Sequence, residues 1–227
     1  MIPLRDANPT RTFPFVTILL ILLNAVAFLY ELMLGAADDL KPFIEGHALV
    51  AARFLAERDA VQWWTVITSM FLHGGWMHLI GNMLYLWVFG NNIEDRIGHI
   101  GFVYFYLLSG VGAAGAQVWI NPESSVPMLG ASGAVSGVLG AYLVLYPRAR
   151  VLTLIPAFFL WLVEIRAFWF LLFWILLQVL NGLPSLLFAS TRPVGGGVAW
   201  WAHIGGFVAG LILLPIFCLL HRPKRQR

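Results

Sequence analysis

The stretch GASGAVSGVLGAYLVLY, residues 130–146, carries the features that decide the fold. It is apolar enough to enter a lipid bilayer, yet glycine and serine fill its first half. Small residues at four-residue spacing let the backbones of neighbouring membrane helices approach closely. The stretch therefore predicts a membrane helix that packs tightly against a partner helix, with Ser132 in its first turn.

The composition of the whole chain extends this prediction. Of 227 residues, 60% are hydrophobic and 11% are charged, whereas soluble domains carry about 25% charged residues. We therefore expect an integral membrane protein whose partner is the lipid bilayer. The net charge is +3, and its basic residues look like orientation signals, so no nucleic-acid partner is expected. The single cysteine, Cys218, excludes an intrachain disulfide.

Six apolar runs approach the length of about 20 residues that a membrane-spanning helix needs. We predict an all-α polytopic membrane protein with six transmembrane helices, forming a single domain over residues 1–227. Residues 151–165 are also apolar, but Pro156, Glu164 and Arg166 break that run, so an interfacial or re-entrant segment is expected there. The six predicted spans cover residues 14–34, 72–90, 101–119, 131–147, 167–182 and 200–220.

The first connection, residues 36–65, is long. Its segment ALVAARFLAER, residues 48–58, has amphipathic character and is followed by Trp63 and Trp64. This pattern predicts an interfacial helix with a tryptophan anchor. A solvated loop is the alternative.

Lysine and arginine indicate the orientation, because cytoplasmic loops carry an excess of them. With six spans, Arg5 and Arg11 before the first, Arg96 after the second and Arg148 after the fourth lie on one side, together with the basic tail 221–227. Both termini are therefore predicted to be cytoplasmic.

Polar residues in a membrane are costly and are functional candidates by default. His78 and Asn82 fall in the outer half of the second span, Ser132 in the first turn of the fourth and His203 in the first turn of the sixth. Because these spans all enter from the outer side, the polar residues share one shallow depth. Close packing of the fourth and sixth spans would bring Ser132 and His203 together. The residues expected to permit it are Gly133, Gly137, Gly206 and Gly210.

Together these residues indicate hydrolytic chemistry. A serine hydroxyl needs an adjacent base, and His203 could accept its proton. The outer halves of the second, fourth, fifth and sixth spans hold no acid, which favours a Ser–His dyad over a triad. The Ser132 backbone N–H at the helix start, with His78 and Asn82 on one helix face, could bind an oxyanion.

A metal site is not expected. His73 and His78 are five residues apart, which would put them on different faces of one helix, and the HExxH pattern of zinc proteases is absent from the sequence.

Three motifs make the chain resemble the rhomboid family of intramembrane serine proteases, of the six-span bacterial type. They are GASG at 130–133, AHIGG at 202–206 with Gly210, and His78 with Asn82. The resemblance implies a rhomboid-like bundle with an outward-side active site in a bacterial cytoplasmic (inner) membrane.

The resemblance also implies roles. Ser132 would be the nucleophile and His203 the general base, and His78, Asn82 and the Ser132 N–H would form the oxyanion site. The expected substrates are single-pass membrane proteins, cleaved in or near their membrane segment without metal or cofactor. The alternative is a rhomboid-fold pseudoprotease that binds such clients without cutting them.

The chain departs from the family at two sites. Trp64-Thr65 replaces a Trp-Arg pair found in many members. Ser136 stands where some members place an aromatic residue on the catalytic histidine, so another residue must orient His203. Gly195, Gly196 and Gly197 are expected to form a mobile cap beside the site.

Overall fold

The computed structural model describes residues 1–156, 160–187 and 198–221. Six long helices and a small sheet make up most of this part of the chain. The long helices are α1 (Phe15–Ala36), α5 (Trp76–Ile97), α6 (His99–Ile120), α7 (Ser132–Leu145), α8 (Ala167–Leu187) and α9 (Trp200–Leu220). The short helices are α2 (Leu40–His47), α3 (Ala51–Glu57) and α4 (Ala60–Thr68), and the strands are β1 (Ile2–Asp6), β2 (Arg150–Pro156) and β3 (Leu160–Arg166).

Each long helix lies on one of the six predicted apolar runs. Within the described residues, α1, α6, α9 and the part of α8 up to Pro184 are long and apolar enough to cross a membrane. Helix α7 is apolar but has only 14 residues, and α5 ends in the charged run Glu94-Asp95-Arg96. The chain is therefore a mostly helical polytopic membrane protein.

The prediction of an all-α protein is correct only in part, because Arg150–Pro156 and Leu160–Arg166 form strands. Strands β2 and β3 pair antiparallel, and β1 adds to the other edge of β2. Val151 and Thr153 are buried while their neighbours are more exposed, which is the two-residue period of a strand. Nearly every residue of this run is apolar, so the two-residue period is not visible in the sequence. An interfacial or re-entrant segment was therefore expected there.

Helix α7 lies at the centre of the bundle, with every residue from Gly133 to Tyr142 buried. Its backbone meets that of α9 without intervening side chains. A Cβ added at Gly206 would collide with the carbonyl oxygen of Gly133, and one at Gly210 with that of Gly137. The predicted close packing of these two helices is present, and glycine is required for it.

The long first connection forms three short helices, not one. Helix α3 covers part of the amphipathic segment, and the Asp59 carboxylate caps α4 by accepting the backbone N–H of Gln62 at 2.8 Å. Trp63 and Trp64 on α4 are 59% and 67% exposed. Their placement at a membrane interface stays a prediction.

Two predictions concern residues that the structure does not describe. The proposed cap at Gly195–Gly197 and the basic tail beyond His221 both lie outside the described ranges.

Candidate active site

Ser132 is the first residue of α7, and the preceding turn depends on Gly130. That glycine has a φ of +124°, a backbone conformation that side chains disfavour. A Cβ at this position would lie 2.6 Å from Nε2 of His78. The Gly130 N–H donates to the carbonyl of Ser69 at 2.8 Å, which ties the turn to the residue that follows α4. The serine is therefore presented on a constrained turn.

Ser132 and His203, 71 residues apart in the sequence, are in direct contact. The distance from Ser132 Oγ to His203 Nε2 is 2.8 Å. His203 lies in the first turn of α9 and is buried, while Ser132 is only partly buried. The contact follows from the glycine-mediated approach of α7 and α9, because both residues lie at the starts of these closely packed helices.

The other face of His203 is held by α8. The distance from His203 Nδ1 to the Gln178 side-chain oxygen is 2.8 Å. The Trp174 ring lies beside the imidazole with centroids 5.9 Å apart, and the Trp200 ring meets it edge-on at 6.1 Å. Sequence reasoning missed all three residues. The available signal was one glutamine within the apolar fifth span, four residues after a tryptophan and therefore on the same helix face.

Ser136 does not take the place of the missing aromatic residue. Its hydroxyl donates to the carbonyl of Ser132 at 2.6 Å, one turn back along α7, and its side chain is fully buried. The residues that hold His203 are thus Gln178 and Trp174 on α8 and Trp200 on α9, and not Ser136 on α7.

His78 and Asn82 lie on the face of α5 that approaches Gly130. The Gly74 N–H points at His78 Nδ1 from 3.4 Å, so in the neutral ring Nε2 would carry the proton, on the side of Gly130. Asn82 donates from its amide nitrogen to His73 Nε2 at 3.0 Å. The second amide hydrogen of Asn82 leaves it with a further donor.

The prediction that His73 and His78 lie on different faces of one helix is wrong. Helix α5 begins only at Trp76, so His73 is not on the helix, and the two rings approach to 5.1 Å between centroids. Within the described ranges, no group of three or more His, Cys, Asp or Glu residues is arranged to hold a metal ion.

Glu31 of α1 supports the same loop. Its carboxylate accepts the backbone N–H of His73 at 3.1 and 3.2 Å, and His73 in turn accepts from Asn82. The acid therefore holds the segment before α5, while the His203 nitrogen that an acid would contact in a triad faces Gln178 instead.

Comparison with known proteins shows to which family the chain belongs. The profile described as Rhomboid domain matches residues 60–220. The chain belongs to the rhomboid family. This rhomboid chain is 31% identical over 161 residues to RHOMBOID-like protein 5 of Arabidopsis thaliana, an alignment that covers 71% of the chain and 45% of the relative.

Two relatives carry protease in their names. Rhomboid protease GluP of Bacillus subtilis is 32% identical over 143 residues, covering 61% of this rhomboid and 25% of GluP. Rhomboid protease AarA of Providencia stuartii is 25% identical over 222 residues, covering 92% of this rhomboid and 74% of AarA. The chain thus spans less than half the length of RHOMBOID-like protein 5 and of GluP.

Proposed function

We propose that this rhomboid is an intramembrane serine endopeptidase that cleaves single-pass membrane proteins in or near their transmembrane segment. The observation that carries the proposal is the 2.8 Å contact between Ser132 Oγ and His203 Nε2 at the partly open end of a buried helix pair. Both residues are of the types, and at the distance, that nucleophilic catalysis by serine requires.

In the proposed reaction, Ser132 Oγ attacks the carbonyl carbon of the scissile peptide bond while His203 Nε2 accepts the hydroxyl proton. The tetrahedral intermediate collapses when the carbon–nitrogen bond breaks, and the imidazolium returns the proton to the leaving amine. Water, deprotonated by the same nitrogen, then hydrolyses the ester on Ser132 and regenerates the dyad.

Three donors are proposed to stabilise the negative oxygen of the intermediate. As the first residue of α7, Ser132 has a backbone N–H that precedes the hydrogen bonds within the helix, and it lies at the positive end of the helix dipole. His78 Nε2–H and the free amide hydrogen of Asn82 are the other two. Donors held in place before the reaction stabilise developing charge most effectively.

We also propose that all six long helices cross the membrane, with both termini cytoplasmic and the site towards the outer side of a bacterial inner membrane. Helix α7, with 14 residues, is about 21 Å long at 1.5 Å per residue, against a hydrocarbon core of about 30 Å. Its first residue, Ser132, would then lie below the outer surface. The backbone of the preceding loop would need hydrogen-bond partners at that depth, and Met128 has them in the two backbone bonds that it exchanges with Leu49.

The test is cleavage of a single-pass substrate in liposomes by wild type, Ser132→Ala and His203→Ala, with Ser125→Ala, whose side chain is exposed, as the matched control. We expect wild type and the control to cut near the membrane segment, and both dyad variants to lose at least about 10⁴-fold in rate. A fluorophosphonate probe should label wild type at Ser132. Equal cleavage by wild type and Ser132→Ala would disprove the mechanism. Absence of both labelling and cleavage would favour a pseudoprotease that binds clients.

A further inference from the structure

We infer that Gln178 is a positioning residue that fixes the tautomer of His203, so that the free lone pair of Nε2 faces Ser132. The inference rests on the proposed function, because it concerns how the general base of that reaction is kept competent. Gln178 lies on α8, which is not one of the two helices, α7 and α9, that bring Ser132 and His203 together.

The orientation of the Gln178 amide is determined by its own helix. Its nitrogen donates to the carbonyl oxygen of Trp174 at 2.8 Å, and a carbonyl oxygen can only accept. Rotating the amide by 180° would place two oxygens against each other and lose this bond. The amide oxygen therefore faces His203 Nδ1, at 2.8 Å.

An acceptor at that position determines where the imidazole proton lies. Because the Gln178 oxygen cannot donate, Nδ1 must carry the hydrogen, and the neutral ring then has its lone pair on Nε2. That lone pair faces the Ser132 hydroxyl. In the opposite tautomer Nε2 would carry the hydrogen. It could then donate to Ser132 Oγ but could not accept the hydroxyl proton.

Ring packing alone would not make this choice. Trp174 and Trp200 limit the tilt of the imidazole, but an aromatic surface does not discriminate between the two ring nitrogens. Gln178 is only 5% exposed, so water competes poorly for the hydrogen bond. The amide also differs from a carboxylate, because it selects the tautomer without placing a charge in a buried site.

The first experiment compares Gln178→Leu with a matched control, Asn181→Leu. Asn181 lies three residues later on α8 and makes the same kind of bond, from its amide nitrogen to the carbonyl of Leu177 at 2.7 Å, but it is exposed. We expect Gln178→Leu to lower kcat about 100-fold with KM changed less than about twofold, and Asn181→Leu to match wild type. Equal kcat for all three proteins would overturn the inference.

A second measurement reports on the tautomer itself and is independent of cleavage. ¹⁵N NMR of histidine-labelled protein identifies His203 by the signal lost in His203→Ala. Wild type should show a protonated Nδ1 and an unprotonated Nε2, and Gln178→Leu should lose that preference. A wild-type His203 protonated on Nε2 would overturn the inference whether or not the protein cleaves its substrate.

Gln178→Met separates positioning from simple packing. Methionine keeps an unbranched side chain of similar length but offers only a weak acceptor, so kcat should fall as far as in Gln178→Leu. Wild-type kcat in Gln178→Met would show that shape, not hydrogen bonding, matters. Inactivity of wild type itself would instead count against the proposed function.

Discussion

The two ends of the bundle hold their polar residues in different ways. At the site end, where α7 and α9 begin, the contacts around Ser132 join a hydroxyl, the imidazole of His203 and the amide of Gln178. The Glu31 carboxylate at this end holds the loop before α5 and does not contact Ser132 or His203. At the strand end, where β1 and β2 meet the helices, the polar network is centred on carboxylates.

Glu94 is the clearest case at the strand end. It is fully buried, and its two oxygens accept the backbone N–H groups of Val16 and Thr17 and the hydroxyl of Thr17 at 2.7 to 2.8 Å. These N–H groups belong to the first turn of α1, which has no partners for them within its own helix. Glu94 on α5 therefore caps a different helix and joins the two.

Asp6 makes a second connection at the strand end. Its carboxylate accepts from the Tyr142 hydroxyl at 2.5 Å and from the Asn92 amide at 2.9 Å. Burial raises the pKa of Asp6 above its ordinary 3.8, although these hydrogen bonds lower it. The N-terminal strand is thereby attached to both α7 and α5.

Polar groups therefore serve two purposes in this membrane protein. Carboxylates connect helices where fixed donors from neighbouring elements fill their hydrogen-bonding capacity. A buried charge needs several such partners. Neutral groups that keep a free lone pair or a free hydrogen are suited to proton transfer. Substitutions at the strand end should therefore reduce stability, and substitutions at the site end should reduce activity.

Among the substitutions that test this comparison, the largest effect is expected from Gly206→Val, which asks whether the site depends on the approach of two backbones. A Cβ at Gly206 would collide with the Gly133 carbonyl, so α7 and α9 must separate and Ser132 must move away from His203. We expect activity to fall more than about 100-fold, with membrane insertion intact. The measurement is cleavage of the single-pass substrate by reconstituted protein.

Gly115→Val is the matched control, because a Cβ at Gly115 meets no atom within 4 Å. It should keep wild-type cleavage. Full activity in correctly inserted Gly206→Val would show that the dyad does not depend on this close packing.

An intermediate effect is expected from Glu94→Gln at the strand end. The amide cannot accept all the hydrogen bonds of the carboxylate, and its NH₂ would face donors from Thr17 or Val16. We expect a loss of about 3 kcal/mol in the free energy of unfolding in detergent micelles, with cleavage per folded molecule within about twofold of wild type. The control is Glu164→Gln, whose ion pair with Arg150 is exposed and should contribute less than about 1 kcal/mol. A large loss of specific activity in folded Glu94→Gln would contradict the division between the two ends.

The smallest effect is expected from Asp6→Asn, measured as the difference in unfolding free energy from wild type across pH. Because the folded pKa of Asp6 is raised, its contribution to stability is present below the ordinary value and is lost as the pH rises through the folded value. Wild type should therefore lose stability relative to Asp6→Asn over that interval. A difference that does not change with pH would show that Asp6 titrates alike in the folded and unfolded chains.

Local sequence was sufficient for the long helices. A run of about 20 apolar residues has few alternatives in a bilayer, because each backbone N–H and C=O must be bonded within the segment. The ends of α5 were predicted less accurately, because the expected span was 72–90 and the observed helix is Trp76–Ile97. Polar residues at its far end bond to other elements and so extend the helix beyond the apolar run.

Three features needed the assembled chain. Strand β1, from the other end of the sequence, joins the sheet by pairing with β2. His73 approaches His78 because the loop before α5 folds back. Gln178 meets His203 because α8 packs on α9. Of these contacts only that of Gln178 has a signal in the local sequence, a glutamine within an apolar span.

The sequence by itself determined the membrane class, the apolar runs, the small residues where helices meet, and the serine and histidine whose surrounding motifs resemble those of rhomboids. These are properties of single segments, set by hydrophobicity and backbone hydrogen bonding. Only the tertiary structure decided which nitrogen of His203 faces Ser132 and which carboxylates join the helices. Those outcomes depend on distances of about 3 Å between atoms on different helices, which a linear pattern does not specify.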